Sequence, residues 1–190
     1  QSLDTDILTT PKTPFSTNGG VKLLEGNLGR CVIKTSAVDA SHHVVEAPAV
    51  VIDDQDDLRP LFDAGELDRD CVVVVRFQGP AANGMPELHK LTPMLGVLQD
   101  RGFKVALVTD GRMSGASGKV PAAIHLVPEA SHGGLLAQLQ TGDVIRLDAT
   151  TGVLSALVDA TDLEHRAVSV APAARGTVGR SLFNNSRQAV

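Results

Sequence analysis

Apolar residues fall in short blocks along this chain, and the spacing inside each block separates strands from helices. Cys71-Val72-Val73-Val74-Val75 is an unbroken apolar run rich in β-branched residues. Such a run suits a strand buried on both faces. Lys104-Val105-Ala106-Leu107-Val108 is a second strand of this kind. Between them, Leu91, Met94, Leu95 and Leu98 recur at helical spacing, and Gly102 supplies a stop. The spacing therefore predicts a helix over Leu91–Arg101 inside a βαβ unit with parallel strands. The loops at Gln78 and Thr109 then leave the carboxyl ends of neighbouring strands, the edge where open α/β sheets bind ligands.

The flanking pattern is mixed. Val21–Leu24 is a short apolar piece, and Cys31–Val38 alternates as a strand does. Val44–Ile52 is β-branched but interrupted by Pro48, which suggests two strand pieces or one edge strand. Leu58, Leu61 and Phe62 predict a short helix within Asp53–Ala64. Downstream, Ile124–Val127 reads as a strand and Gly133–Gln140 as a helix. Val144–Asp148 and Val153–Val158 read as a hairpin, and Asp162–Ala167 as a last helix. The polar segment 1–18, with Pro11 and Pro14, reads as a linker or extended arm before a domain spanning 19–190. The start, Gln1-Ser2-Leu3-Asp4, is neither a Met start nor a signal peptide, and reads as a cut end.

Composition narrows the function classes. The 190 residues suit one domain, and 43% of them are hydrophobic, with no Trp and no Tyr. The core must be aliphatic. The net charge of −5 is spread without a basic stripe, which argues against nucleic acid or an anionic membrane surface as partner. No run approaches the roughly 20 apolar residues that span a bilayer. Cys31 and Cys71 form no CxxC pair and read as buried, reduced thiols in a cytoplasmic protein.

Two loops carry candidate chemistry. The first runs from Arg76 to Lys90 and contains Glu87 directly after Pro86. Glu87 reads either as a helix-start carboxylate, favoured by the helix dipole, or as a metal ligand at a cleft rim. The second, Thr109–Lys119, concentrates glycine, serine, Arg112 and Lys119. Exposed N–H groups and small hydroxyls suit an oxygen-rich ligand, and an ordinary turn suits the same residues. The loop lacks Walker A spacing. His42-His43 has no accompanying ligand cluster; His89 could face the cleft; His125 and His132, near Pro128-Glu129-Ala130, read as structural.

The stretch VVRFQGPAANGMPELHKLTPMLGVLQDRGFKVALVTDGRMSGASGKVPAAIHLVPEA resembles the dihydroxy-acid and phosphogluconate dehydratase family. GMPE and TDGRMSG look like two signatures of that family's carboxy-terminal domain, and GGVKLLEGNLG and GDVIRLDATTG look like further family segments. RFQGPAANGMPELHKLTP and VLQDRGFKVALVTDGRMSGASGKVPAAIH look like its phosphogluconate branch.

The resemblance implies a swivelling β/β/α domain of α/β class, a partly open β-barrel with flanking helices. It implies a hydro-lyase of the Entner–Doudoroff pathway that converts 6-phosphogluconate to 2-keto-3-deoxy-6-phosphogluconate. An iron–sulfur cluster, held by an amino-terminal domain absent here, would act as Lewis acid, and magnesium would be shared between the domains. Glu87 resembles a magnesium ligand and Ser114 the base; Arg112, Ser117 and Lys119 are weaker candidates for substrate oxygens. Cys31 and Cys71 lie outside the cluster motifs. The partners implied are a phosphorylated sugar acid, the amino-terminal domain, and a second copy in a homodimer. By itself the chain would be an inactive half-site. Other readings are a dihydroxy-acid or sugar-acid dehydratase domain, or a non-catalytic sugar-acid-binding module.

Overall fold

Eight strands close into one barrel in the order β1-β2-β6-β5-β4-β3-β7-β8. The coordinates are a computed structural model describing residues 3–84, 86–114, 118–173, 182 and 184–188. The strands are β1 (Val21–Gly26), β2 (Gly29–Lys34), β3 (Val44–Ile52), β4 (Cys71–Val75), β5 (Val105–Thr109), β6 (Ala122–Val127), β7 (Val144–Asp148) and β8 (Val153–Ala156). The helices are α1 (Leu58–Asp63), α2 (Pro80–Asn83), α3 (Leu91–Asp100), α4 (Ala160–His165) and α5 (Asn184–Gln188). The α/β class and the flanking helices are those the family resemblance implies, and the barrel is closed rather than partly open.

Strands β3, β4, β5 and β6 run parallel, flanked by the antiparallel hairpins β1–β2 and β7–β8. The seam between β1 and β8 is short, with Glu25 and Val153 as its register pair. The Glu25 N–H also donates to the Gly152 carbonyl at 2.9 Å.

The unbroken apolar runs of β4 and β5 have a direct cause. Val72, Val74, Ala106 and Val108 point into the barrel. Cys71, Val73, Val75, Val105 and Leu107 point outward, against Leu58, Leu91, Leu95 and Leu98 of α1 and α3. Both faces are covered, so no polar alternation survives. The interior is filled by Leu24, Ile33, Leu126, Ile145, Leu147 and Leu154 with small alanines between them. A barrel of this strand number is just wide enough for side chains to fill it.

Several local expectations change. Val44–Ile52 is one strand despite Pro48. Its first half pairs with β7, and pairing with β4 begins only at Ala49. The Ala49 N–H donates toward β7, to Asp143. By strand alternation the Pro48 nitrogen faces the other edge, where no ladder bond is yet required. The second strand is Gly29–Lys34 rather than Cys31–Val38. The helix expected over Gly133–Gln140 is instead two short 3-10 turns, Ala130–His132 and Leu135–Gln138. Gly133, at φ 77°, breaks the right-handed path between them.

Candidate active site

Four parallel strands end on one side of the barrel, and the loops leaving them are tied together by side chains. Arg76 follows β4, and its guanidinium donates to both Asp53 carboxylate oxygens, at 2.7 and 3.1 Å, and to Ser169 Oγ at 2.8 Å. That fixes the exit of β3 to the exit of β4.

Asp110 follows β5 and is 1% exposed. Its carboxylate accepts the N–H groups of Phe77 at 3.2 Å, Gln78 at 2.8 Å and Ala130 at 3.1 Å. One buried carboxylate thus joins the loops after β4, β5 and β6. Burial pushes its pKa up; the Gln78 and Ala130 N–H groups oppose that, and nearby Glu129 adds to it. Phe77 sits at φ 60°, a left-handed conformation that its N–H bond to Asp110 helps to hold. Glu129 is buried as well and accepts the Ala81 N–H at 3.1 Å in the first turn of α2.

Gly111 needs its lack of a side chain. A Cβ there would lie 2.6 Å from Gln78 Cβ and 3.0 Å from Leu88 Cδ1. This close approach lets the backbone at Arg112 pair in parallel with Glu87. Here the structure corrects one reading of Glu87. The residue is not in the first turn of α3, which begins four positions later at Leu91. Its backbone is held by Arg112, with the Leu88 N–H donating to the Arg112 carbonyl at 3.3 Å.

The Glu87 side chain meets the second loop. One carboxylate oxygen accepts Arg112 Nε at 3.2 Å and Nη2 at 2.7 Å; the other accepts the Ser114 N–H at 2.5 Å. Desolvation alone would raise the Glu87 pKa. The Ser114 N–H, the Arg112 guanidinium and His89 outweigh it and hold the carboxyl below the usual glutamate range. Glu87 is therefore an ionised oxygen donor, with its side chain 30% exposed.

Ser114 itself is exposed. It lines a shallow concavity with Lys34, Met113, Gly118, Val120, Ala122 and Ile124. Lys34 is a cation beside Ser114 that the loop motifs do not contain; β2 brings it there by pairing with β6. Of the other candidates, Arg112 stands at the site. Lys119 turns to α3, where its ammonium meets Asp100 at 2.5 Å. Ser117, and Met85 of the GMPE motif, lie outside the described residues. His42 and His43 lie at the other end of β3, where His43 Nε2 is 3.1 Å from the Val38 carbonyl.

Cys31 is inside the barrel and Cys71 lies in the layer under the helices, on opposite faces of the sheet. Burial pushes their thiols up to about 12 and about 11. Both are the reduced, buried cysteines expected.

The chain is similar to known proteins over nearly its whole length. The family model described as "Dihydroxy-acid/6-phosphogluconate dehydratase C-terminal" matches residues 6–190. The chain is 58% identical to the phosphogluconate dehydratase of Escherichia coli (strain K12) over 190 residues, 99% of this chain and 32% of that protein. It is 62% identical to the phosphogluconate dehydratase of Pseudomonas aeruginosa over 193 residues, 100% of this chain and 31% of that protein. Against the dihydroxy-acid dehydratase of Wolinella succinogenes the identity is 37% over 183 residues, 95% of this chain and 32% of that protein. The chain thus spans about a third of the length of these relatives.

Proposed function

The chain belongs to the dihydroxy-acid/6-phosphogluconate dehydratase family, whose carboxy-terminal domain it matches, and from that membership we propose that it is the carboxy-terminal part of a phosphogluconate dehydratase. The reaction is loss of water from 6-phospho-D-gluconate to give 2-dehydro-3-deoxy-6-phosphogluconate. The gap between 58–62% identity to phosphogluconate dehydratases and 37% to a dihydroxy-acid dehydratase favours this substrate. An amino-terminal domain completes the site, the full-length enzyme is a cytoplasmic homodimer, and the carboxy-terminal part alone is inactive. Among the described residues no helix is long and apolar enough to cross a membrane.

Two inorganic groups belong to this reading. Glu87 fits a magnesium ion as one ligand, because it is a hard, ionised and partly exposed oxygen donor. No group of three His, Cys, Asp or Glu side chains among the described residues could hold a metal. The remaining ligands come from substrate, water and residues elsewhere in the enzyme. When bound, the cation supplies positive charge beside the substrate carboxylate and the Ser114 hydroxyl. The iron–sulfur cluster does not fit this chain, whose two cysteines are buried on opposite faces of the sheet. It is assigned to the amino-terminal domain.

The chain's own residues have defined tasks. Ser114 Oγ, as the alkoxide that a nearby cation would favour, takes the proton from carbon 2, next to the substrate carboxylate. The electron pair left behind forms the C2–C3 double bond as the hydroxyl on carbon 3 departs as hydroxide, which becomes water with the proton taken from carbon 2. The resulting enol becomes the ketone as its carbon-2 hydroxyl loses a proton and carbon 3 gains one. Glu87 positions Ser114 through its backbone N–H. Arg112, half-exposed and anchored by Glu87, offers charge to a substrate oxygen. Ser117 remains a proposed contact to a substrate oxygen, and Lys119 reaches one only by leaving Asp100.

The observation that carries this reading is the Ser114 N–H resting on the Glu87 carboxylate at 2.5 Å. The test is to prepare the full-length enzyme anaerobically and assay 6-phosphogluconate against a dihydroxy acid, with and without Ser114→Ala. Preference for the phosphorylated acid and collapse of turnover in the variant are expected. Near-normal turnover by Ser114→Ala removes the proposed base, and preference for the dihydroxy acid removes the proposed substrate.

A further inference from the structure

Strand β6 carries one residue more than the strand it pairs with. Arg30 pairs with Val127 and Val32 with Ile124, so His125 and Leu126 together oppose Cys31 alone. Leu126 takes the inward place, in the interior cluster with Cys31. His125 is the inserted residue of a β-bulge, with φ 57°. Left-handed backbone in a residue other than glycine persists only where the surroundings hold it, and such residues gather at functional sites. Bulges beside active sites re-aim a side chain.

The contacts of His125 lead to the candidate site. Its N–H donates to the Gly111 carbonyl at 2.9 Å, one residue before Arg112. Its ring is half-buried. Burial first, and then the Arg112 guanidinium, pull its pKa down, so the ring is neutral near pH 7 with one donor and one acceptor nitrogen. Glycine would satisfy this backbone at no steric cost. An imidazole stands there instead, next to the arginine that grips Glu87.

We propose that His125 is a further substrate-contacting residue, presented by the bulge so that its imidazole hydrogen-bonds a hydroxyl of a polyhydroxy acid lying against Arg112 and Ser114. This rests on the function proposed above and extends it to a specific hydroxyl contact. A dihydroxy or polyhydroxy acid offers such a group whether or not it is phosphorylated.

The test uses His125→Gly and His125→Asn in the full-length enzyme, reading melting temperature and kinetics together. Glycine relaxes the left-handed backbone, so His125→Gly should melt at or above the parental temperature. Its kcat/KM for 6-phosphogluconate should nevertheless fall about three- to tenfold, as for loss of one hydrogen bond between neutral groups. His125→Asn tolerates the same backbone and keeps a donor and an acceptor, so it should retain part of the activity. Parental kcat/KM in a stable His125→Gly overturns the proposal, and so does a parallel loss of stability and activity. Should His125→Gly fail to fold, His125→Asn decides: unchanged kinetics overturn the contact, and lowered kcat/KM at an unchanged melting temperature supports it. Ser114→Ala in the same assay separates the two ideas. If that variant is inactive while His125→Gly is normal, only the histidine contact fails; if it turns over normally, the underlying reading fails first.

Discussion

Asp110 accepts the backbone N–H of Gln78 at 2.8 Å, across the gap between the loops that leave β4 and β5. The same carboxylate takes Phe77 and Ala130, so three donors depend on one side chain. Asp110→Ala strands all three in a buried place. The expected loss is about 3 kcal/mol or more, read as a lowered denaturation midpoint with an unchanged slope. Asp110→Asn should also be destabilised, because its amide N–H₂ must face one of those donors. A midpoint for Asp110→Ala equal to the parent's would show that the carboxylate does not hold the loops.

Gly111→Ala should cost about 1–3 kcal/mol through overpacking, since the new methyl meets Gln78 and Leu88. It should also push apart the backbones that place Glu87 beside Arg112, and so lower turnover in the full-length enzyme. Gly19→Ala is the control, because a Cβ there meets nothing within 4 Å. Equal melting temperatures for the two variants would contradict the packing argument.

Glu87 makes stability depend on pH in a definite direction. Its carboxyl is held below the ordinary glutamate value of 4.5 in the folded chain. Its contribution is therefore complete above that value and disappears as pH falls through the lower folded pKa. Glu87→Gln should remove this part of the acid limb. The change should be small, under about 1 kcal/mol, because the ion pair is partly exposed. Denaturation midpoints from pH 7 down to pH 3 would show it; parallel limbs for the two proteins would refute it.

Both thiols should resist reagents that need a thiolate. Burial holds Cys31 and Cys71 near pKa 12 and 11. A disulfide reagent at pH 8 should label neither in the native chain and both after denaturation. Iron and sulfide added to the native chain should produce no cluster absorption. Stoichiometric native labelling, or a stable cluster, would contradict the burial described here.

Magnesium should bind the chain alone only weakly, with a dissociation constant of about a millimolar or weaker, because one carboxylate makes a poor cage for a cation that demands six ligands. Calorimetric titration checks this. Micromolar affinity would mean that the chain holds a complete cation site.

The sequence pattern reaches some parts of this structure and not others, for physical reasons. The strands at Cys71–Val75 and Val105–Thr109 are legible because both faces are buried and the apolar run is continuous. Helix α3 is legible because Leu91, Met94, Leu95 and Leu98 share one buried face. Barrel closure is not legible, since Glu25 and Val153 meet through pairing across about two thirds of the chain. The GMPE and TDGRMSG motifs point to Glu87 and Ser114, which the structure brings together. Lys34 escapes notice because only the pairing of β2 with β6 carries it to Ser114. His125 reads as structural in the sequence, because a bulge is defined by counting residues against the partner strand.

The packed interior has a geometric consequence. With Leu24, Ile33, Leu126, Leu147 and Leu154 filling the space between the strands, the barrel has no bore. Nothing can enter or leave through its axis. Any ligand that reaches Glu87 and Ser114 must cross one rim, and whatever caps that rim governs its access.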